Sequence, residues 1–402
     1  MIVLSVRQPL SSIAVEVPGY PSEEIAVTSP CLAAVEEIVA DVVAPGAQAV
    51  DRDGAFPRKA IDALGAGGVL GLTVPAPVGG AGGTMREAAA VVERLSQACG
   101  STAMVVLMHY AATALLNATG RTGTQEAIAA GRHLTTLAFS EKGSRSHFWA
   151  PMSTAHATGA EVSLNADKSW VTSAGEANSY VWSSRPLDAD GPMTLWLVPA
   201  DAPGIQVAGP FDGLGLRGNA SRPVRGRDVP VPLPAMLGAD GAGLDLAMET
   251  ALPWFLVLSA AFSLGLMRAT LTETIGHLTG TRLEHLGQTL AEQPLVRQDI
   301  GHMRIEVDRT AALVDSTIGA LESGHPDAML RLLGVKAAAA ESAIAVTDIA
   351  MKACGGAAFR KELGIERRFR DARAARVMAP TTDRLTDFVA RVACGLPLLD
   401  AE

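Results

Sequence analysis

Residues 353–373 read ACGGAAFRKELGIERRFRDAR. Ahead of them, Asp327 to Cys354 is rich in alanine and patterned as one long helix. Gly355 and Gly356 can simply stop that helix, or they can let a phosphate group approach a backbone that has no side chain in the way. The same stretch opens the densest basic run, Arg360 to Arg376, which Glu362, Glu366 and Asp371 interrupt. A mixed-charge loop and helix end fits that pattern better than a polyanion site. Upstream, Glu249 to Gly276 and Gln298 to Glu322 carry helical apolar patterns, and downstream a final helix is expected from about Thr382 to Cys394. Four such helices predict an antiparallel bundle over residues 239–402.

Further upstream the period changes. Residues 136–238 hold short β-type runs, TTLAFS, EVSLNA, SWVTS, SYVWSS, MTLWLVP and IQVAG, punctuated by Gly, Pro, Asn and Asp. They predict a compact β domain, a small barrel or sandwich. The alternate prolines of VPVPLP, 229–234, argue against a central strand and for an extended connector. Residues 29–135 read as helices. Ala33, Val35, Ile38, Val39 and Val42 form one stripe, Pro57 stands near the start of a second helix with Ile61 and Leu64 inward, and Gly100 breaks Met85–Cys99 from Ser101–Thr119. Residues 1–28 are an expected N-terminal extension. The fold class is therefore mainly α with a central β domain: an N-terminal helical domain, a middle β-barrel and a C-terminal four-helix bundle. A groove where the three meet is a favoured place for a ligand.

The chain has 402 residues, 48% of them hydrophobic, and a net charge of −9 with no basic patch, which argues against nucleic acid. Cys31, Cys99, Cys354 and Cys394 form no CxxC, so no metal framework is expected and reduced thiols in a cytoplasm fit best. No apolar run is read as reaching the roughly 20 residues of a membrane span. MIVLSVRQPL is not patterned as a signal peptide. Abundant Ala and Gly, with Arg dominating the basic residues, hint at a GC-rich bacterium.

Several segments in order resemble one known family. They are GVLGLTVPAPVGGAGG, LAFSEKGS (137–144), KSWVTSAGEANSYVWSSR (168–185), DGLGLRGNAS (212–221), LGADGAGL (237–244) and the opening stretch at 353–373. Together they resemble the acyl-CoA dehydrogenase superfamily over about residues 29–398, with RDAR read as the start of the last helix. That resemblance implies FAD. It gives Phe139 and Ser140 to the pyrimidine side of the flavin, Trp170 and Thr172 to its ring and N5 side, and Ser146 to cofactor and substrate together. On its own, Trp170 would read as a buried core aromatic. The resemblance also gives Gly355, Gly356 and Lys352 to FAD held mainly by a neighbouring subunit, Arg282 to the pyrophosphate and Thr381 to the cofactor. A homodimer or homotetramer follows, or a hetero-oligomer with a homologous subunit.

The substrate side departs from the family. Its reaction takes an α proton from an acyl thioester with a Glu while hydride passes to flavin N5. Counting from Arg370, the usual Glu seat is Ala379; the alternative seat on the long helix is Phe255. The Arg beside that second seat becomes Leu256, an Asp becomes His147, and Pro380 replaces a Gly. His147 is the candidate base because its pKa can sit near working pH. Glu141 reads as structural, and Asp383 is a weaker alternative. The expected function is an FAD-dependent oxidoreductase acting on an acyl thioester or related small molecule with a non-standard base. The alternatives are a flavin-dependent monooxygenase or oxidase on the same fold, and a non-catalytic FAD-binding subunit.

Overall fold

The computed structural model describes residues 30–144, 147–159 and 161–399. The expected extension at 1–28 and Ser146 lie outside the described residues. Helix α1 (Pro30–Ile38) runs through a π turn at Val39–Val43 into α2 (Ala44–Asp53). Its buried stripe is Cys31, Val35, Val39, Val43 and Ala47, while Ala33 of the expected stripe is exposed. A spacing of four outruns the 3.6 residues of an α turn, and the wider π turn returns the apolar residues to one face. Helix α3 (Arg58–Ala66) starts behind Pro57 and buries Ile61 and Leu64. A capping box between Thr84 and Glu87 opens α4 (Met85–Ala98). Helix α5 (Gly100–Ala118) is buried along nearly its whole length, and α6 (Thr122–Ala129) closes the layer. Cys99 makes the break, and Gly100 is the first residue of α5.

The strands are β1 (Thr135–Ala138), β2 (Thr154–Thr158), β3 (Glu161–Val171), β4 (Ser179–Ser184), β5 (Thr194–Pro199), β6 (Ile205–Val207), β7 (Arg222–Pro232) and β8 (Met236–Leu237). They form two sheets, ordered β1-β4-β5-β8 and β2-β3-β7-β6. The runs EVSLNA and SWVTS belong to one long strand, β3. The proline run is a correction: Val229–Pro232 is part of β7, paired with Glu161–Leu164 of β3. The reason is local. Strand β6 meets β7 only at Val224–Gly226, so the proline segment has β3 on one side and no partner strand on the other.

Helix α7 (Gly243–Leu246) and a π turn at Ala247–Ala251 lead into α8 (Leu252–Gly280). A hairpin of β9 (Arg282–Leu283) and β10 (Gln288–Thr289) precedes α9 (Pro294–Ser323), α10 (Ala328–Cys354), α11 (Ile365–Val377) and α12 (Thr382–Ala393). Helix α8 packs on α9 and α10 and also on α4 and α5, which joins the bundle to the first layer. RDAR lies inside α11 rather than at the start of the last helix, because Pro380 cannot continue a helix and separates α11 from α12. Gly100–Ala118 and Gly243–Gly280 are long and apolar enough to cross a membrane, contrary to the sequence reading. Their apolar windows are 83% and 78% buried inside the fold, which makes them core helices here.

Two of the quoted segments lock together. The Leu216 amide of DGLGLR donates to Asp371 Oδ1 of RDAR at 2.6 Å, and Arg370 binds the Asp51 carboxylate at 2.9 and 2.6 Å. A Cβ on Gly215 would sit 2.5 Å from the Arg370 backbone, so only glycine permits this approach.

Candidate functional site

The site starts with a buried ion pair. Glu141 and Lys168 meet at 2.6 Å with side chains 2% and 0% exposed. Lys168 Nζ also donates to the Ser183 carbonyl and hydroxyl, and Glu141 accepts from the Met152 and Ser153 amides. Burial alone would push the Glu141 carboxyl up, but the Lys168 charge and these donors bring it below its ordinary value. Glu141 is thus fully engaged in structure. On either side of it, the Ser169 amide donates to Ser140 O at 2.9 Å and the Lys142 amide to Asp167 O at 3.0 Å. This ladder sets Ser140 beside Trp170.

Trp170 is no core aromatic. Its φ is 55°, its pairing with β7 is interrupted by a bulge, and the residue is 70% exposed. A bulky residue at positive φ carries strain that the surrounding structure must hold. Here the strain presents an indole to a cleft between the β domain and the helices. Phe139, Ser140, Phe148, Ser169 and Trp170 line its β-domain side, and Ala247, Ala251, Leu252 and Phe255 line its helical side. Ala379 and Pro380, between α11 and α12, complete the wall.

Phe255 and Ala379, far apart in sequence, therefore face the same cleft. Neither carries a carboxylate. Among the described residues the lining has no ionisable side chain, and its hydroxyls are those of Ser140 and Ser169. Leu256 is fully buried in the core behind Phe255 and does not line the cleft. His147 also stands outside the lining. Its Nδ1 faces the Ser144 carbonyl at 2.9 Å, so Nδ1 carries the proton and Nε2 accepts from Arg384 Nη2 at 2.9 Å. The lone pair that a base would use is already engaged. Asp383 is exposed in the first turn of α12.

The remaining cofactor candidates are dispersed. Thr172 is buried, with its hydroxyl 3.1 Å from that of Ser221. Thr381 is the N-cap of α12 and accepts from the Arg384 amide. Lys352, expected to face a phosphate, binds Asp299 at 2.7 Å, a nearer anion on the adjacent helix. Arg282 is exposed on the hairpin and donates to Gly287 O. Gly355 has φ 54°, and both Gly355 and Gly356 are exposed, with no atom within 4 Å of an added Cβ. An open glycine pair and an uncovered indole over an apolar cleft fit a flavin dinucleotide. Trp170, Phe139 and Ser140 would hold its ring, and the glycines would leave room for the phosphates of FAD held mainly by a neighbouring subunit.

Family models match in order along the chain: the acyl-CoA dehydrogenase N-terminal domain at residues 30–130, the middle domain at 136–229 and the C-terminal domain at 241–394. The chain belongs to the acyl-CoA dehydrogenase family. It is an FAD-dependent oxidoreductase, and acyl-CoA substrates and oligomers are typical of its family. It is 27% identical over 355 residues to the probable acyl-CoA dehydrogenase YngJ of Bacillus subtilis, covering 84% of this chain and 91% of that one. It is also 27% identical over 349 residues to the human mitochondrial short-chain specific acyl-CoA dehydrogenase, covering 84% and 83%. The FAD complex of PigA superposes with a TM-score of 0.83 at 18% identity, covering 91% and 97%.

Replacing Trp170 with Ala should weaken FAD retention by roughly tenfold, as loss of an exposed aromatic contact does, while leaving thermal stability near wild type. Flavin fluorescence released on dilution measures the first effect and a melting curve the second. Sequence reasoning missed Ser169 and, behind the wall, Lys336. The signal for Lys336 was available: a lone lysine in VKAAAA, on the helix face shared by Leu332, Leu333, Ala339 and Ala340, all fully buried.

Proposed function

We propose that this oxidoreductase acts on an acyl thioester or related small molecule in the Trp170–Phe255 cleft, without a carboxylate from either usual seat. The observation that carries the reading is that Phe255 and Ala379 converge on one apolar cleft. Its walls suit an acyl chain, and relatives named acyl-CoA dehydrogenases span most of the chain. FAD, when bound, supplies a two-electron acceptor. The residues of this chain do the rest. Phe139, Phe148 and Phe255 exclude water, and Ser140 and Ser169 offer hydroxyls to polar groups. For His147 to take a proton, Arg384 must first release Nε2.

Anaerobic titration of the FAD-loaded protein with a panel of acyl thioesters tests this. Bleaching of the flavin by at least one thioester is expected. A flavin that stays oxidised across the panel, together with oxygen uptake once it is reduced externally, would favour the monooxygenase or oxidase reading. The lack of an ionisable lining group among the described residues also suits that second reading, since oxygen chemistry of this kind needs no protein carboxylate. A cytoplasmic homodimer or homotetramer belongs to the same proposal. Phe359, just after the open glycine pair, is 80% exposed and Leu295 is 76% exposed, as residues that a second subunit covers would be.

A further inference from the structure

Lys336 projects from α10 into the protein interior and is 1% exposed. Its Nζ donates to the carbonyls of Met378 and Pro380, each at 2.7 Å, and lies 5.8 Å from the centre of the Phe255 ring. Those two carbonyls bracket Ala379. One lysine thus touches both walls that a base would occupy, from the side away from the cleft.

It does so without a counter-ion among the described residues. The charged groups on the elements around it have other partners. Glu273 of α8 binds Arg368, Asp299 of α9 binds Lys352 and Glu306 of α9 binds Arg309. Glu341 and Asp348 of α10 bind Arg376 and Arg373, and Glu366 of α11 binds Arg370. Asp371 accepts from Leu216, Arg384 of α12 engages His147 and Asp387, and Asp383 is exposed. An unpaired buried ammonium is costly and persists where its position serves a purpose.

We infer that Lys336 is a positioning residue of the flavin cleft: its buried ammonium pins the Met378–Pro380 turn against Phe255 and gives a site whose described lining has no carboxylate a positive wall. Such a wall favours whichever form of bound FAD or substrate carries more negative charge, because a charge one side-chain layer away in a dry interior is weakly screened. Burial lowers the Lys336 amine to about 7, while the two carbonyls hold its charged form. The positive wall is therefore present on the acid side of that titration and fades on the alkaline side.

The test uses the midpoint potential of bound FAD in the full-length holoprotein from about pH 6 to 10, spanning the free and buried lysine ranges. K336M should lower the potential at acid pH by roughly tenfold in the reduction equilibrium, about 30 mV for two electrons. The gap between wild type and K336M should close as pH rises. The gap between K336R and K336M should persist at every pH, since arginine stays charged. A purely structural lysine would change melting and FAD retention without this pH-dependent gap. K336M with the wild-type potential throughout overturns the inference. Should K336M fail to hold FAD, a K336R potential that diverges from wild type at acid pH and converges on it at alkaline pH overturns it equally. The measurement needs no substrate, so it stands apart from the thioester panel.

Discussion

Lys168→Met should lower the unfolding free energy by about 3–5 kcal/mol and release FAD from the cleft, because it leaves a buried carboxylate without its cation. Glu141 has only 2% of its side chain exposed, and water cannot take over the role of Lys168. The Met152 and Ser153 donors remain, so the carboxylate keeps hydrogen bonds but loses its charge partner. Urea denaturation at neutral pH reads the loss. The pH dependence supplies a second check. The folded-state pKa of Glu141 lies below its ordinary value, so its contribution is complete above the usual carboxyl range and disappears as pH falls through the folded value. In K168M protonation relieves the unpaired carboxylate, so that acid-side loss should be replaced by a gain in stability as pH falls. The functional loss follows from geometry, since residues 167–169 pair with Ser140 and Lys142 and so hold Ser140 beside Trp170.

Ala379→Glu should accelerate flavin reduction by a plain saturated acyl-CoA by about 10²-fold or more. A positioned general base contributes roughly 10²–10⁴ to such a proton transfer. Position 379 already lines the cleft, and alanine leaves space for a longer side chain directed into it. The Lys336 ammonium, held by the carbonyls on both sides of residue 379, would favour the ionised carboxylate. Ala379→Gln has the same bulk and no basicity, so it should stay at the wild-type rate.

What the sequence made legible was periodic or punctuated. The long helices, the β region and the glycine turns all rest on spacing, and they appear in the structure as α8, α9, α10, α12 and the two sheets. The convergence of Phe255 and Ala379 was readable only through resemblance, because no spacing rule joins residues 124 positions apart. Other features depend on tertiary context. Val229–Pro232 of the VPVPLP run became strand because β6 pairs with β7 no further than Gly226 and spares the prolines a second partner. Lys352 turned to Asp299 because α9 passes beside it. His147 lost its free lone pair to Arg384, 237 residues away. Trp170 could have been a core residue by composition, and only the bulge and the positive φ bring it into the cleft.

The decisive measurement is the anaerobic rate of flavin reduction by butyryl-CoA, compared side by side in wild type, A379E and A379Q. If both base seats are empty in one functional FAD cleft, A379E should be about a hundredfold faster than wild type, with A379Q unchanged. Wild type already as fast as A379E would show that a base reaches the substrate from elsewhere, although the described lining has no ionisable side chain, and would contradict the site described here.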